Sequence, residues 1–298
     1  MSMDMSLLPA PAVIEVLDFE TIFARRVAQF QDLCTAVGFD YTLLLESDPA
    51  MKLLEVQAYQ ELEMRQRIND AAKACMLAYA TKSDLDNLGA NYKVFRLVVT
   101  PANPDAVPPV EAVYEDDERF RERIQLAPEG ITTAGPRDSY RFHALSASAQ
   151  VADVGIDSPI PGTVRVTVLS TDPSGVPTEA LLGTVSGALN DEKIRPLCDS
   201  VPVQGPEIFE TTIEATVYRK EGPAGEVALA NGKAALDAWL IKVRKLGEGL
   251  ARSGIDGALH QPGVSRVSIA SPAVDMLCTE TQWVRVTAIT VLEEVVSG

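Results

Sequence analysis

Hydrophobic and polar positions divide the chain into a helical beginning and two later stretches in which strands alternate with helices. Asp48 and Pro49 open a run that contains no proline or glycine until after Ala80. An N-cap acceptor followed by proline at the first helical position is a strong start signal, and the run is rich in good helix formers. This pattern predicts one long helix, with a shorter helix before it from Asp18 to about Cys34.

One face of the predicted long helix is apolar but interrupted by polar side chains. Leu54 and Leu62 belong to the apolar set, and Arg65 and Asn69 interrupt it. Two interpretations stay open. The polar ends reach the edge of a helix bundle or a paired acid, or the face packs on another protein and the polar break sets the register, as in coiled coils. Under the second interpretation, these four residues lie in an interface.

A proline-rich segment follows the helices. Tyr92 to Val99 predicts a strand, and residues 100–110 (TPANPDAVPPV) predict a stiff, extended connector. Residues 115–126 (EDDERFRERIQL) then predict a short charged helix whose first turn is acidic, as suits the helix dipole. We expect its arginines to lie on a solvated face; the alternative is that they pair with an acidic partner. They are Arg119, Arg121 and Arg123.

The next stretch, residues 135–206, alternates helix and strand. Ala152, Val154 and Ile156 alternate with smaller or polar residues, which is the period of a half-buried strand. A turn containing two prolines leads to a second alternating strand, and Thr178 caps another helix. Residues 201–203 form a short strand whose proline confines it to an edge. These elements predict a small central α+β domain.

The final stretch, residues 207–298, predicts a second small α+β domain. A strand with one wet face, a helix with a regular apolar stripe and two more strands follow one another. Trp239 lies on that stripe and Trp283 opens the last strand. Both are candidate aromatic anchors of an interface, although Trp239 also suits the core of its own domain. The predicted fold class is therefore α+β: a helical domain over residues 1–99, a linker with a charged helix over 100–134, and the two α+β domains with mixed or antiparallel sheets.

Composition and charge narrow the possible partners. The chain has 298 residues and a formal net charge of −16, so it repels phosphate backbones and anionic membrane surfaces. We expect no nucleic-acid partner and no membrane partner. The four cysteines lie far apart without a CxxC spacing, which favours free thiols and leaves a bridge between distant cysteines open. No apolar run approaches the ~20 residues that cross a bilayer, so the chain is expected to be soluble when made.

Catalytic motifs are missing from the sequence. It contains no P-loop, no GxGxxG after a strand and no HExxH. Residues 183–187 have the glycines of a nucleophile elbow but Val185 in place of the nucleophile. The two histidines, His143 and His260, are far apart. We therefore predict no catalytic, cofactor-binding or metal-binding residue. A hydrolase acting on cell wall or glycan stays as the alternative, because glycosidase carboxylates can be distant in sequence. Asp153 and Glu293 are its candidate acids.

A set of short motifs gives the chain a family resemblance. The motifs occur in one order along the chain: Leu85-x-x-Leu88-Gly89 after the long helix, Glu115-x-Asp117-x-x-Phe120-Arg121-x-Arg123-Ile124, Tyr140, His143-Ala144, Val151-x-Asp153-Val154, Pro159-x-Pro161-Gly162, Arg195-Pro196-Leu197-x-Asp199 and Pro262-Gly263-Val264. In this order they resemble the baseplate J-like family, the wedge proteins of contractile phage tails and R-type tailocins. Residues 100–114 are the least typical part.

The resemblance implies a structural role in a virion or tail-like particle that is assembled in the bacterial cytoplasm. Such proteins pair as two copies with a smaller wedge protein, through a bundle shared by their helical N-terminal parts. Their C-terminal domains contact the neighbouring wedge and close a ring around the hub. The implied partners are therefore a second copy, the smaller companion, and the hub and sheath-initiating proteins. No cofactor is implied.

Overall fold

The computed structural model describes residues 5, 8–9, 11–39, 45–132, 135–221 and 223–296, with the side chains of 220 and 223–226 excepted. The chain forms two compact units. One contains residues up to Phe95 together with Asp117–Arg121, and the other contains Arg96–Asp116 and the residues from Glu122 onward. The predicted α+β class is confirmed, because helices and small sheets make up the two units.

The first unit is helical. Helix α1 spans Phe19–Ala36 and helix α2 spans Pro49–Ala74. The expected caps are present: the carboxylate of Asp18 accepts the Thr21 N–H at 2.9 Å, and that of Asp48 accepts the Ala50 N–H at 2.9 Å. Helix α3 follows at Lys82–Asn91.

Helix α2 ends six residues before the predicted end, Ala80. The reason lies in a distant arginine. Arg121 donates from Nε to the carbonyl of Leu77 and from Nη2 to the carbonyl of Ala80, each at 2.7 Å. These charge-assisted hydrogen bonds satisfy carbonyls in the turns after the helix, so α2 needs no further helical turn there.

Helix α4 spans Asp117–Leu126 and contradicts one sequence expectation. Arg121 and Arg123 are buried, so a solvated arginine face is the wrong prediction for both; Arg119 is half-buried. Arg123 forms an ion pair with Glu115, which is buried as well. Fully buried charges need partners, and here the partners come from the same chain rather than from another protein.

The proline-rich segment forms a β-hairpin instead of an extended connector. Strands β1, Val98–Thr100, and β2, Val113–Tyr114, pair antiparallel, and Asn103 and Val110 bridge beyond them. The side chain of Asn103 accepts the Asp105 N–H at 3.2 Å, a local turn that reverses the chain. The predicted strand from Tyr92 is reduced to β1. We call residues 98–114 the hairpin arm.

The base of the hairpin arm is fixed by Glu115. Its Oε1 accepts the Leu97 N–H at 2.9 Å and pairs with Arg123, while its backbone carbonyl accepts from Arg96 at 2.8 Å. Arg123 Nε also donates to Ser146 Oγ at 3.2 Å. A buried, charge-assisted cluster therefore holds the start and the end of the arm together.

The central region contains α5 (Arg137–Ala147), β3 (Val151–Ile160), β4 (Thr163–Ser170), α6 (Glu179–Leu189) and β5 (Val203–Gln204). The sheet order is β3-β4-β5, with β3 antiparallel to β4 and β5 parallel to β4. One buried core forms between the helices and the sheet. Leu145 of α5 and Val185 of α6 pack there with the inward strand residues Val154 and Val166.

The C-terminal region contains β6 (Glu207–Lys220), α7 (Pro223–Lys242), α8 (Arg252–Leu259), β7 (Val264–Ser271) and β8 (Gln282–Val296). The sheet order is β7-β6-β8, so β6 is central. Strand β8 runs parallel to β6 and pairs with it from Glu207 to Lys220. Ile213, Leu236 and Ile255 lie in the core between sheet and helices. The boundaries predicted for the domains stay a prediction.

Strand β3 departs from the expected half-buried pattern. Besides Val154 and Ile156, the alternate residues Asp153 and Gly155 are buried. The first pair faces the central core, and the second pair faces residues of the C-terminal region, Leu246 and Glu280. Both faces of β3 are therefore covered, and simple alternation does not predict that.

Replacing Glu115 with Ala leaves Arg123 buried without its carboxylate. We expect the free energy of unfolding, measured by urea titration, to fall by about 3–5 kcal/mol. This is the cost of leaving one buried charge without its partner. Glu210→Ala is the control, because Glu210 pairs with Arg285 on the surface and its loss costs roughly 0–1 kcal/mol. Equal losses in the two variants would show that the buried pair does not hold the arm.

Candidate interaction surfaces

The described residues form several surfaces and joints that are candidate interaction sites. No group of three or more histidine, cysteine, aspartate or glutamate side chains among them is placed to hold a metal ion. The two candidate acids of the hydrolase alternative are both engaged: Asp153 is only 3% exposed, and Glu293 accepts from Arg219 Nε at 3.0 Å. Within the described segments, no helix has the length and apolarity to cross a membrane.

The polar interruptions of α2 bind the segment that precedes α1. Asn69 is buried, and its side chain accepts the Glu15 N–H at 3.1 Å and donates to the Glu15 carbonyl at 2.9 Å. Arg65 pairs with the Glu15 carboxylate at 2.5 Å. Leu54 is buried and Leu62 is half-buried. The first unit thus accounts for their burial and pairing; their role in an interface with another chain stays a prediction.

Glu61 is the electrostatic centre of the α1–α2 pair. Arg25 and Arg26 of α1 and Arg65 of α2 all bind its carboxylate, with Arg26 at 2.6 Å and Arg65 at 2.9 Å. Burial raises the pKa of Glu61, but hydrogen bonds from Arg65, Arg26 and Arg25 outweigh burial and lower the pKa from 4.5 to about 2. One carboxylate therefore ties α1 to α2.

A second apolar stripe runs along α2, away from its buried face. Leu53, Val56, Met64 and Ile68 are all exposed, Met64 by 68%. At the helical repeat, these positions fall within one arc, on the side opposite Ala58 and Asn69. Exposed apolar side chains at such spacing are typical of a helix that packs against another helix.

The joint between the central and C-terminal regions is built on Asp153. Its carboxylate accepts the Leu246 N–H at 2.8 Å and pairs with Arg141 at 2.6 Å. Burial raises the pKa of Asp153, while the Arg141 guanidinium and the Leu246 N–H lower it. Beside it, a Cβ on Gly155 would lie 1.8 Å from the Glu280 carbonyl oxygen. The two backbones meet at a distance that only glycine permits.

Trp283 and Arg244 form the other half of this joint. Trp283 is buried, and a Cβ on Gly175 of the central region would lie 2.3 Å from its ring. Arg244 lies over the same ring at 5.5 Å and donates to the carbonyls of Ser170 and Thr171, each at 3.2 Å. Trp283 therefore anchors one region of the chain to the other.

Trp239 packs inside the C-terminal region. A Cβ on Gly254 of α8 would lie 2.2 Å from the Trp239 ring, so the indole sits against that helix. This contact corresponds to the position in the core of its own domain, one of the two possibilities that the sequence left open for Trp239. An interface role for either tryptophan stays a prediction.

A groove of about 260 Å³ lies between the end of α7 and strand β8. Its apolar lining includes Leu240, Ile241, Val286 and Ile289, and Arg244 and Arg285 contribute positive charge. Ile241 is 76% exposed and Ile289 is also exposed. Strand β8 is an edge of the sheet, and its exposed side chains further along include Leu292 and Val295.

With this geometry in view, comparison with known proteins identifies the chain. Three family models match it in order: the Baseplate J-like N-terminal domain over residues 46–103, the Baseplate J-like central domain over 132–205, and the Baseplate J-like protein C-terminal domain over 211–292. The chain belongs to the Baseplate J-like family. It is a structural component of a phage tail baseplate, and the resemblance found in the sequence is confirmed.

The Baseplate protein J of Escherichia phage P2 is similar at 45% identity over 284 residues, covering 94% of this chain and 93% of that protein. A chain in the six-fold symmetrised cryo-EM structure of the anti-feeding prophage baseplate is similar at 10% identity with a TM-score of 0.29, covering 92% of this chain. This chain spans 53% of that neighbour's length.

Sequence reasoning missed two of these surfaces. The stripe of α2 is present in the sequence as apolar residues at helical spacing, but the sequence analysis assigns the interface to the opposite face of the helix. The joint left almost no local signal, since Asp153 and Leu246 are 93 positions apart. The hint in the sequence is Asp153, an aspartate between the apolar residues Ala152 and Val154 of the predicted strand.

Glu61→Gln tests the electrostatic tie between α1 and α2. Because the pKa of Glu61 is depressed, its contribution to stability is fully present above pH 4.5 and is lost as pH falls toward about 2. In acid titrations followed by circular dichroism, the wild-type chain should lose stability across this window. The Gln variant should be less stable at pH 7 and flatter between pH 4.5 and 2. Parallel pH profiles for the two proteins would contradict the assignment.

Gly155→Ala tests the joint. The added Cβ meets the Glu280 carbonyl, so the backbones must separate, and we expect a loss of about 1–3 kcal/mol in urea unfolding. The control is Gly183→Ala in α6, where a Cβ meets no atom within 4 Å and a gain of up to ~1 kcal/mol is expected. An unchanged free energy of unfolding for Gly155→Ala would show that the two backbones separate without penalty, which contradicts a tight joint.

Proposed function

We propose that this chain is a wedge protein that assembles with a second copy and a smaller companion through its helical unit, and links neighbouring wedges into a ring around the baseplate hub. The observation that carries this proposal is the second apolar stripe of α2. The family membership and the similarity to Baseplate protein J of phage P2 support the baseplate setting and interaction with other baseplate proteins.

The stripe supports pairing because its apolar side chains stay exposed among the described residues of the unit. The buried face of α2 already packs within the chain through Leu54 and Ala58. Full burial of one large aliphatic side chain contributes about 1.5–3 kcal/mol. Several such residues on one helix are therefore enough to drive association with other helices, which fits a bundle shared between a second copy and a companion.

The C-terminal region supports the ring contact. Strand β8 lies at the edge of its sheet, and Leu292, Val295 and Val296 are exposed on it. Long apolar edge strands promote pairing with another chain, and proteins usually cover or charge them. A partner in the assembled ring would cover this one.

No observation favours a hydrolase. Asp153 serves the joint between two regions, and Glu293 pairs with Arg219 across the sheet. Buried or paired carboxylates of this kind fix geometry, whereas a general acid needs access to substrate. The absence of catalytic motifs in the sequence is consistent with a structural protein.

Met64→Glu tests the helical pairing. Met64 is exposed in the chain alone, so the fold should survive, whereas a charge within an apolar interface should weaken association with the second copy or companion about tenfold or more. Gln66→Glu adds the same charge on α2 outside the stripe and should assemble normally. Assembly is measured by mass spectrometry and electron microscopy of purified tails, in which the wild-type chain should occur at several copies per tail. Complete baseplates built from Met64→Glu would refute the stripe as the docking face.

A further inference from the structure

The hairpin arm exposes apolar side chains that no other described residue of the chain covers. Val107 is 99% exposed, and Val98, Val99, Val110 and Val113 are exposed as well. A two-stranded hairpin has no interior in which to bury these side chains. The arm carries two acidic residues, Asp105 and Glu111, and no basic residue. It is thus an apolar element with a negative charge.

The base of the hairpin arm is fixed by contacts within its own chain. Glu115 ties the two ends together through Leu97, Arg96 and Arg123, and both members of the Glu115–Arg123 ion pair are buried. A segment fixed before binding loses little conformational entropy when it docks. This favours a recognition role for the arm over that of a passive linker.

The groove between α7 and β8 has the complementary character. Its walls are apolar at Leu240, Ile241, Val286 and Ile289. Two arginines and one glutamate, Arg244, Arg285 and Glu248, also line it, and Arg285 pairs with Glu210 outside the groove. The arm and this groove belong to the same compact unit, yet no residue of the arm lines the groove. With its base fixed, the arm of one chain leaves its own groove open, so a second copy is needed to bring an arm and a groove together.

We propose that the tip of the hairpin arm, residues 105–111, docks into the α7–β8 groove of a neighbouring copy. Val107 and the adjacent prolines would fill the apolar floor, with Asp105 and Glu111 toward Arg244. The arm is acidic, the groove lining has one more cationic than anionic side chain, and their apolar parts match. This inference rests on the proposed ring and specifies the contact that joins its members.

The contact uses different surfaces on the two copies, so it is heterologous. Each copy still has a free groove and a free arm after pairing, and repetition either closes a ring or continues as a filament. Residues 104–131 lie between the matched family segments. The proposed contact therefore involves a part of this chain that the family models do not describe.

Disulfide trapping between two single variants tests the contact directly. Full-length chains in which Cys34, Cys75, Cys198 and Cys278 are replaced by Ala carry either Val107→Cys or Ile241→Cys, both at highly exposed positions. Mixed under mild oxidation, they should form a disulfide-linked dimer, because a bridge forms only where the two Cα atoms approach within about 7 Å. In the control, a chain with Leu197→Cys replaces the chain with Ile241→Cys. Leu197 is fully exposed but lies outside the groove, so it should not cross-link to Val107→Cys.

A pair of charge substitutions distinguishes a specific contact between the arm and the groove from non-specific association. Val107→Glu alone should weaken self-association about tenfold or more. Adding Ile241→Lys in the same chain should restore most of it, which a general loss of folding would not allow. Sedimentation of the concentrated full-length chain reports association, and Leu197→Glu should behave as wild type.

The outcomes are distinguishable. A cross-link between Val107→Cys and Ile241→Cys with rescue by Ile241→Lys supports the contact. Rings in assembled tails without that cross-link overturn it and leave the proposed function standing. A disulfide between two Val107→Cys chains alone would also overturn it, since it indicates arm-to-arm pairing. If assembled tails contain no ring of this chain, the proposed function fails, and the trapping result in solution still decides the arm contact.

Discussion

The structure of the second unit depends on one constraint, the covering of strand β3 on both faces. One face closes the central core, and the other brings Asp153 and Gly155 against the C-terminal region. A strand buried on both faces cannot shift its register without moving apolar groups to a polar setting or stranding the Asp153 carboxylate. The relative placement of the two sheets thus follows from a few atoms: a carboxylate, an N–H group and two glycine positions.

Buried and partly buried charges in this protein act as positioning devices. Glu115 with Arg123 fixes the base of the hairpin arm, Glu61 gathers three arginines between α1 and α2, and Asp153 joins two regions. An ion pair out of water adds little net stability but strongly penalises any arrangement that separates its members. This favours a unique geometry for each subunit, which the proposed ring would require because errors in each subunit would accumulate around it.

Local chemistry was predictable from the sequence, and distant pairing was not. The caps of α1 and α2 follow from Asp18 and Asp48, since a cap is decided within a few residues. The end of α2 was misjudged because it depends on Arg121, more than 40 positions away from the carbonyls it binds. The prolines of residues 100–110 predict an extended connector, and the hairpin is missed because these residues show no strong hydrophobic alternation. The pairing of Asn103 with Val110 therefore leaves no signal in the sequence. Family-specific motifs supplied the identity that periodicity alone could not.

The parallel pairing of β6 and β8 determines how the C-terminal region would respond to tension. Fourteen residue pairs run side by side from Glu207–Gln282 to Lys220–Val296. A pull along the axis of such a pair loads its backbone hydrogen bonds in shear, so they share the force and must rupture together. A pull across the edge would instead open them one after another, like a zipper. Strand β8 should therefore resist a force along its axis more strongly than a force that peels it from the edge of the sheet.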